Sequence, residues 1–294
     1  MNPSHIDQTS LRLVAAALLA LAALPSRAGV AEAGGPTATR TSLTADLYGR
    51  IGPDGVMLTV GALRRWDQRD GASPVLRGRY AAAGISVGTN PAYAQGAVFA
   101  EWIPLAPLQL RAQYDAFAFY GANGALLALP SASSRFGESE LDARSGAEER
   151  GVGHRLLFSP VLRAQLGPLL FRNQTDVAWY RLSDDDGWFH EWEYDTLLAG
   201  SDLLVSNRLA VLGRLWRGAG DAVLLAGPAY EVTHAGKTDL TRQRVECVVF
   251  WSPVDRLGAF ARPRLVGVLG VNLQDRNREG DLFGLVGLGM DLDL

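Results

Sequence analysis

The densest group of potential metal ligands in this 294-residue chain is the stretch SDDDGWFHEWEYD, residues 183–195. Asp184, Asp185, Asp186 and Glu191 offer the carboxylate oxygens that Ca²⁺ prefers, with Glu193 and Asp195 close behind. The spacing departs from a 12-residue calcium loop, because three consecutive Asp precede Gly187 and no Glu closes the pattern. His190 stands apart from any second imidazole. A solvated acidic loop with interleaved aromatics explains the same residues, so the segment is a weak calcium candidate. No other metal and no cofactor is expected.

Hydrolytic chemistry needs a nucleophile within hydrogen-bond reach of its base. In GVGHRLLFSP the residue two beyond His154 is Leu156, and Ser159 has the opposite parity along a strand. An acid paired with a His would serve a protease, but no Asp-His or Asp-x-His occurs. The chain is therefore not expected to be an enzyme.

A larger set of charges lies on period-two runs. In LQLRAQYDA, residues 108–116, Gln109, Arg111, Gln113 and Asp115 alternate with Leu108, Leu110, Ala112, Tyr114 and Ala116. The same alternation sets Asp46 and Arg50 against Leu47 and Ile51, and Arg242, Arg244 and Glu246 against Val245, Cys247, Val249 and Trp251. The last eleven residues, GLVGLGMDLDL, put Val286, Leu288, Met290, Leu292 and Leu294 on one side and Asp291 and Asp293 on the other. A helix would space its apolar residues by three and four, so these segments are strands with one oily and one polar face. The polar faces supply Asp46, Arg50, Glu101, Arg111, Asp115, Arg172, Asp176, Arg208, Arg242, Arg244, Glu246, Arg264, Asp291 and Asp293 as candidate lining residues of an enclosed interior, with Arg79, Arg163, Arg214, Glu231 and Arg262 of the same parity. Two readings stand for them. Cross-strand ion pairs would fill a narrow core, or a ring of Arg would line a pore with weak anion preference.

The elements that must position these residues are about twelve strands, read at 41–52, 55–66, 77–89, 92–103, 108–120, 152–165, 169–182, 202–216, 221–234, 241–252, 257–272 and 281–294. Turn signals such as GPDG, GTNPA, IPLAP and RGAG separate them. Pro228 falls inside one and predicts a bulge or a shifted boundary. Segments 121–151 and 183–201 do not alternate and are placed as loops on the outer side. FHEWEYDTLL stays outside the strand count, since a thirteenth strand would break the parity. Trp102, Trp179, Trp216, Trp251 and Tyr114 sit on or near strand ends, where a membrane interface favours amphipathic rings.

The N-terminus reads as an export signal. Arg12 precedes the apolar run LVAAALLALAAL, Pro25 breaks it, and Ser26-Arg27-Ala28 supplies small residues at the cleavage positions. The run is shorter than the roughly 20 residues a spanning helix needs. The expected organisation is a signal over 1–28, a short linker over 29–40 and a barrel domain over 41–294. A single cysteine, Cys247, rules out an internal disulfide, and the net charge of −3 does not suggest a nucleic-acid partner. The basic residues are almost all Arg, with Lys237 the one Lys.

The signal, the alternating strands and the closing LVGLGMDLDL make the chain resemble Gram-negative outer-membrane β-barrel proteins over about residues 41–294. The resemblance implies an all-β fold: a transmembrane up-and-down antiparallel β-barrel of about twelve strands. It also implies residence in the bacterial outer membrane after export through the periplasm. The implied partners are outer-membrane lipid, lipopolysaccharide and the outer-membrane assembly machinery. The last strand departs in ending on Leu294 where that family usually ends on an aromatic residue. The functions that follow are a porin-like small channel or passive transporter for small polar solutes, or a non-conducting structural or surface-interaction barrel. A lipid- or peptide-hydrolysing enzyme ranks last.

Overall fold

A computed structural model describes residues 39–68, 73–123, 126–182 and 187–294. The segment read as a signal, most of the linker and the Asp184–Asp186 run lie outside the described residues. Twelve long strands form the wall: β1 (Thr39–Ile51), β2 (Gly55–Asp67), β3 (Tyr80–Thr89), β4 (Tyr93–Leu105), β5 (Leu108–Tyr120), β7 (Arg150–Leu166), β8 (Leu169–Leu182), β11 (Ser201–Arg217), β12 (Val223–Ala235), β13 (Leu240–Ser252), β15 (Phe260–Gln274) and β16 (Leu282–Asp293). Each pairs antiparallel with its sequence neighbour in the wall, and β1 pairs with β16 from Ser42↔Asp293 to Ile51↔Gly284. That last ladder closes the sheet and leaves no free edge, which is the condition for placing a sheet in lipid.

The polar faces point inward and the oily faces outward. On β16 Leu288 is 51% exposed and Val286 59%, whereas Phe283 is 4% and Asp291 7% exposed. A soluble sandwich would show the reverse. Outward Trp66, Trp102, Trp216 and Trp251 lie near the end of the barrel that holds both strand termini, and Trp179, Tyr114 and Tyr230 near the other. These two girdles bracket an apolar band, the pattern of a membrane-spanning barrel. Cys247 is exposed on the same outer surface.

The connections are unequal. At the end with the termini they span 106–107, 167–168, 218–222 and the longer 68–79 and 253–259, the last holding β14 (Arg256–Leu257). The opposite end carries 121–149 and 183–200, together with 52–54, 90–92, 236–239 and 275–281. Long loops mark the outer end of such barrels and short turns the periplasmic end.

Two local expectations are corrected. Pro228 needs no bulge: β12 keeps its register with β13 through Pro228↔Cys247, and with β11 on both sides of the proline, from Ala210↔Ala229 to Gly213↔Ala226. Arg79 precedes β3 and donates from Nε to the Leu76 carbonyl at 3.1 Å, in a periplasmic turn outside the strand. By contrast Arg262, inward by parity in the sequence, owes its direction to a one-residue register shift between Ala261 and Arg264, with φ 51° at Arg262. The bulge swings its side chain to Asp291.

Candidate functional site: the closed outer mouth of the barrel

The two outer segments fold into the mouth. Trp188–Glu191 (β9) and Thr196–Ala199 (β10) form a hairpin, and Ala128–Leu129 (β6) adds a third strand through Ala128↔Phe189. The chain around a short helix α1 (Glu138–Asp142) covers this sheet. Phe136, Leu197 and Leu198 are fully buried and Phe189 nearly so. They pack against wall residues: Leu197 with Leu240, Phe189 with Leu182, and Leu198 with Tyr180, Leu204 and Ala235. Asp202 pins the hairpin base by accepting from the backbone N–H groups of Ala199 at 3.1 Å and Lys237 at 2.9 Å. Thr238 donates to the Leu197 carbonyl at 2.9 Å.

The turn of the hairpin, Trp192–Glu193–Tyr194–Asp195, spans the lumen and meets the wall on several sides. Arg155 on β7 is 2% exposed and donates to Asp115 at 2.8 Å, to the Tyr180 hydroxyl at 3.1 Å and to Glu193 at 2.5 Å. Asp115 is fully buried and also accepts from Gln95 and Gln113, each at 2.6 Å. Arg50 on β1 donates to the Glu193 carbonyl at 2.8 Å and lies over the Trp192 ring. The Trp192 indole donates to the Asp54 carbonyl at 3.2 Å. The Tyr194 hydroxyl donates to Asp176 at 3.3 Å, and Asp176 also accepts from Ser159 at 2.5 Å.

Asp195 ends the turn in a cationic pocket. Its carboxylate lies 2.9 Å from His190 Nε2, 2.8 Å from Arg278 Nε and 3.8 Å from Arg242. Burial would raise its pKa, but the hydrogen bond and proximity of His190, with Arg50 and Arg278, outweigh it and hold the carboxyl down to about 2. Glu191 goes the other way. Burial first, then the Glu193 charge, push it up to about 7, although it accepts the Tyr194 backbone N–H at 2.6 Å. Burial penalises the charge of both carboxyls: at Asp195 His190 and the arginines outweigh that penalty, and at Glu191 the Glu193 charge adds to it.

Below the turn the polar faces knit into cross-strand pairs. Arg242 and Arg244 share Glu231 at 2.8 and 2.9 Å, Arg244 meets Glu246 at 2.6 Å, and Arg208 reaches the same Glu246. Arg264 bridges Asp46 at 2.7 Å and Asp291 at 3.1 Å. Arg262 meets Asp291 at 2.8 Å, and Arg256 meets Asp293 at 3.0 Å. Glu101 accepts from Tyr80 and Gln109 and lies 4.0 Å from Arg111, which itself donates to Gln113. Arg172 donates to Gln174, Arg163 to Gln109, and Arg214 to the Gly167 carbonyl at the periplasmic rim.

The structure therefore brings together Asp46, Arg264 and Asp291, and separately Arg208, Arg242, Arg244 and Glu246. It sets Arg50, Asp115 and Asp176 around the turn. His154 and Ser159 face opposite sides of the wall. Among the described residues no group of three His, Cys, Asp or Glu side chains could hold a metal ion, and Glu191 is occupied by the turn. The solvated-loop reading is corrected for the described acids: Glu193 meets Arg155 and Asp195 meets Arg242 and Arg278, all from distant elements, while Glu191 accepts the Tyr194 backbone N–H within the turn.

Sequence reasoning missed Arg155 and Arg278. Arg155 has the parity of inward Ser159, but it sits among Gly and Leu in GVGHRLLF and does not look like part of a polar face. The turn carried a usable signal. Trp188, Phe189, Trp192 and Tyr194 are four aromatics in seven residues, a poor composition for a solvated loop.

No family model and no curated protein matches the chain by sequence. Among solved structures it is similar to the β domain of the Bordetella autotransporter BrkA, at 12% identity and TM-score 0.44, over 87% of this chain and 99% of that one. It is also similar to the translocator domain of autotransporter NalP from Neisseria meningitidis, at 13% identity and TM-score 0.41, over 98% and 95%. An outer membrane channel from Pseudomonas putida aligns at 12% identity and TM-score 0.36, over 92% and 100%. The chain is a twelve-stranded outer-membrane-type β-barrel. That class rests on its own closed ladder, apolar exterior and paired girdles.

Proposed function

We propose that this barrel resides in the bacterial outer membrane as a closed barrel, conducting no solute while the turn Trp192–Asp195 is seated, and that it presents its outer loops at the cell surface. The observation that supports this reading is the buried pair Asp115–Arg155, whose Arg155 also holds the part-exposed Glu193, together with the buried pair Arg278–Asp195 at the other end of the turn. A charge pair taken out of water is costly to break, because either partner alone would be left buried and unpaired. The turn is thus held by charges from the wall as well as by the apolar packing of the hairpin.

A second reading, a gated channel for a small polar solute, is favoured by one contrast. The periplasmic part of the interior carries half-exposed charges, with Arg262 53% and Asp293 48% exposed, in the manner of a hydrated vestibule. In that reading the hairpin is the gate. Liposome swelling in a small neutral sugar separates the two. The closed barrel gives no swelling with the intact protein at pH 5, where the turn is seated. Swelling at the rate of an open porin under those conditions overturns it.

A further inference from the structure

The inner face of the barrel holds its arginines in two ways. On β15 Arg262 and Arg264 meet Asp291 of β16 directly, at 2.8 and 3.1 Å. On β7 and β8 the contact with acid is indirect. Arg163 donates to Gln109, whose own amide N–H donates to Glu101 at 2.7 Å. Arg172 donates to Gln174, whose amide N–H donates to Asp176 at 2.9 Å. A neutral glutamine thus stands between each arginine and the carboxylate at the end of its hydrogen-bond chain. Among the described residues neither Arg163 nor Arg172 forms an ion pair.

The register sets these two cations side by side. Arg163 lies directly opposite Arg172 in the β7–β8 ladder, where facing Cβ atoms are about 4.5–5.5 Å apart. Like charges in that position destabilise a sheet. Arg208 on β11 lies opposite Gln174, two residues from Arg172 along β8, and adds a third positive charge to the row. Arg163 shares the inward parity of buried Ser159 and Val161, and Arg172 that of Gln174 and Asp176. Both lie near the periplasmic turn 167–168, Arg163 exposed and Arg172 half-buried. A guanidinium carries five N–H donors, so one contact to a glutamine leaves most of them open.

We propose that Arg163 and Arg172 form a binding site for a phosphate group in the periplasmic half of the lumen. Charge selects this ligand. A phosphate ester carries about −1.5 to −2 charges at pH 7, close to the sum of the two arginines with the sign reversed. Shape selects it too. A tetrahedral oxyanion can turn one edge to each guanidinium fork, the bidentate contact for which arginine is suited. Acetate and chloride neutralise only one of the two cations. Gln109 and Gln174 fix the guanidiniums while leaving their charge uncompensated, which an aspartate in either place would not do. The site needs only the hydrated periplasmic end of the barrel. It is independent of whether the outer mouth is closed or gated.

The test is equilibrium dialysis of the full chain, folded in an uncharged detergent, against radiolabelled inorganic phosphate at pH 8. Sodium chloride at about 0.1 M screens charges more than about 10 Å away. The expected result is saturable binding that unlabelled phosphate displaces at a concentration at least about tenfold below that of acetate, since a hydrogen bond to a charged group is worth a factor of about ten or more. Arg163→Gln and Arg172→Gln each weaken binding by a similar factor. Both keep the heat-dependent gel shift of a folded barrel, because each removes one of two facing like charges. Arg262→Gln, on β15 and paired with its own acids, leaves binding nearly unchanged. Free phosphate and a phosphate ester present the same group, so glycerol 3-phosphate is the second competitor. Stronger competition than by inorganic phosphate assigns the site to a phosphorylated solute, and weaker competition assigns it to the free ion. Displacement by acetate at the same concentration as phosphate overturns the proposal, as does binding unchanged in both Gln variants. So does a loss in Arg262→Gln as large as in Arg172→Gln, which would replace the site with the general field of the lumen.

Discussion

The two halves of the barrel interior are built from the same residue types and behave differently. At the outer mouth Arg155, Asp115, Asp195 and Arg242 are at most 3% exposed, and each charge faces a partner from another element. At the periplasmic end Arg256 and Asp293 pair at similar distances, yet their side chains are 60% and 48% exposed. Coulomb energy at a given separation scales inversely with the effective dielectric, so similar pairs hold structure in one half and decorate it in the other. The difference is made by the hairpin. Its aromatic and aliphatic residues bury those outer pairs, and among the described residues nothing comparable covers the periplasmic pairs.

The sharpest way to break that contrast is Arg155→Ala. It strands Asp115 and removes the Glu193 partner, and is expected to cost about 3–5 kcal/mol, read as a lower urea midpoint for the heat-modifiable folded band. Asp291→Asn lies between the two regimes. Asp291 is nearly buried but serves Arg262 and Arg264, each of which keeps a second acid, so a loss of about 1–2 kcal/mol is expected in the same assay.

The seating of the hairpin is expected to depend on pH from both sides. Glu191, raised to about 7 from 4.5, favours the seated state while protonated; that contribution is full below 4.5 and is lost as pH rises through 7. Asp195, lowered to about 2 from 3.8, contributes above 3.8 and is lost as pH falls through 2. Protease protection of segment 187–199 should therefore be greatest near pH 4. Glu191→Gln should remove the decline between pH 4.5 and 7 while leaving the acid arm unchanged. A pH profile in which the Gln variant follows the intact protein would detach Glu191 from the seating. The smallest effect is expected from Arg262→Ala at the exposed rim, at most about 1 kcal/mol and reduced further by salt. A larger loss there would mean that the periplasmic half is as dry as the mouth.

The wall was legible in the sequence because a strand's burial pattern is local. Alternation, bounded by the turn signals, placed the twelve spans within three residues of the observed ends, including 108–120 and 169–182 on the residue. The faces followed from parity, so Asp46, Arg264 and Asp291 could be named together before any register was known. The plug was not legible, because its meaning depends on contacts more than a hundred residues apart, such as Arg50 with Glu193. Glu191, Glu193 and Asp195 look the same in sequence whether water or Arg155, Arg242 and Arg278 surrounds them. Arg262 was placed inward by a parity that its own bulge breaks, and it reaches the interior through backbone geometry that alternation does not describe.

Planar-bilayer recording of the intact chain beside a variant in which residues 188–199 are replaced by a short Gly-Ser link asks most directly whether the hairpin closes the barrel. The account predicts a silent intact protein at pH 5 and steady conductance from the shortened one, with both giving the same heat-dependent gel shift. Equal conductance from the two proteins would contradict it.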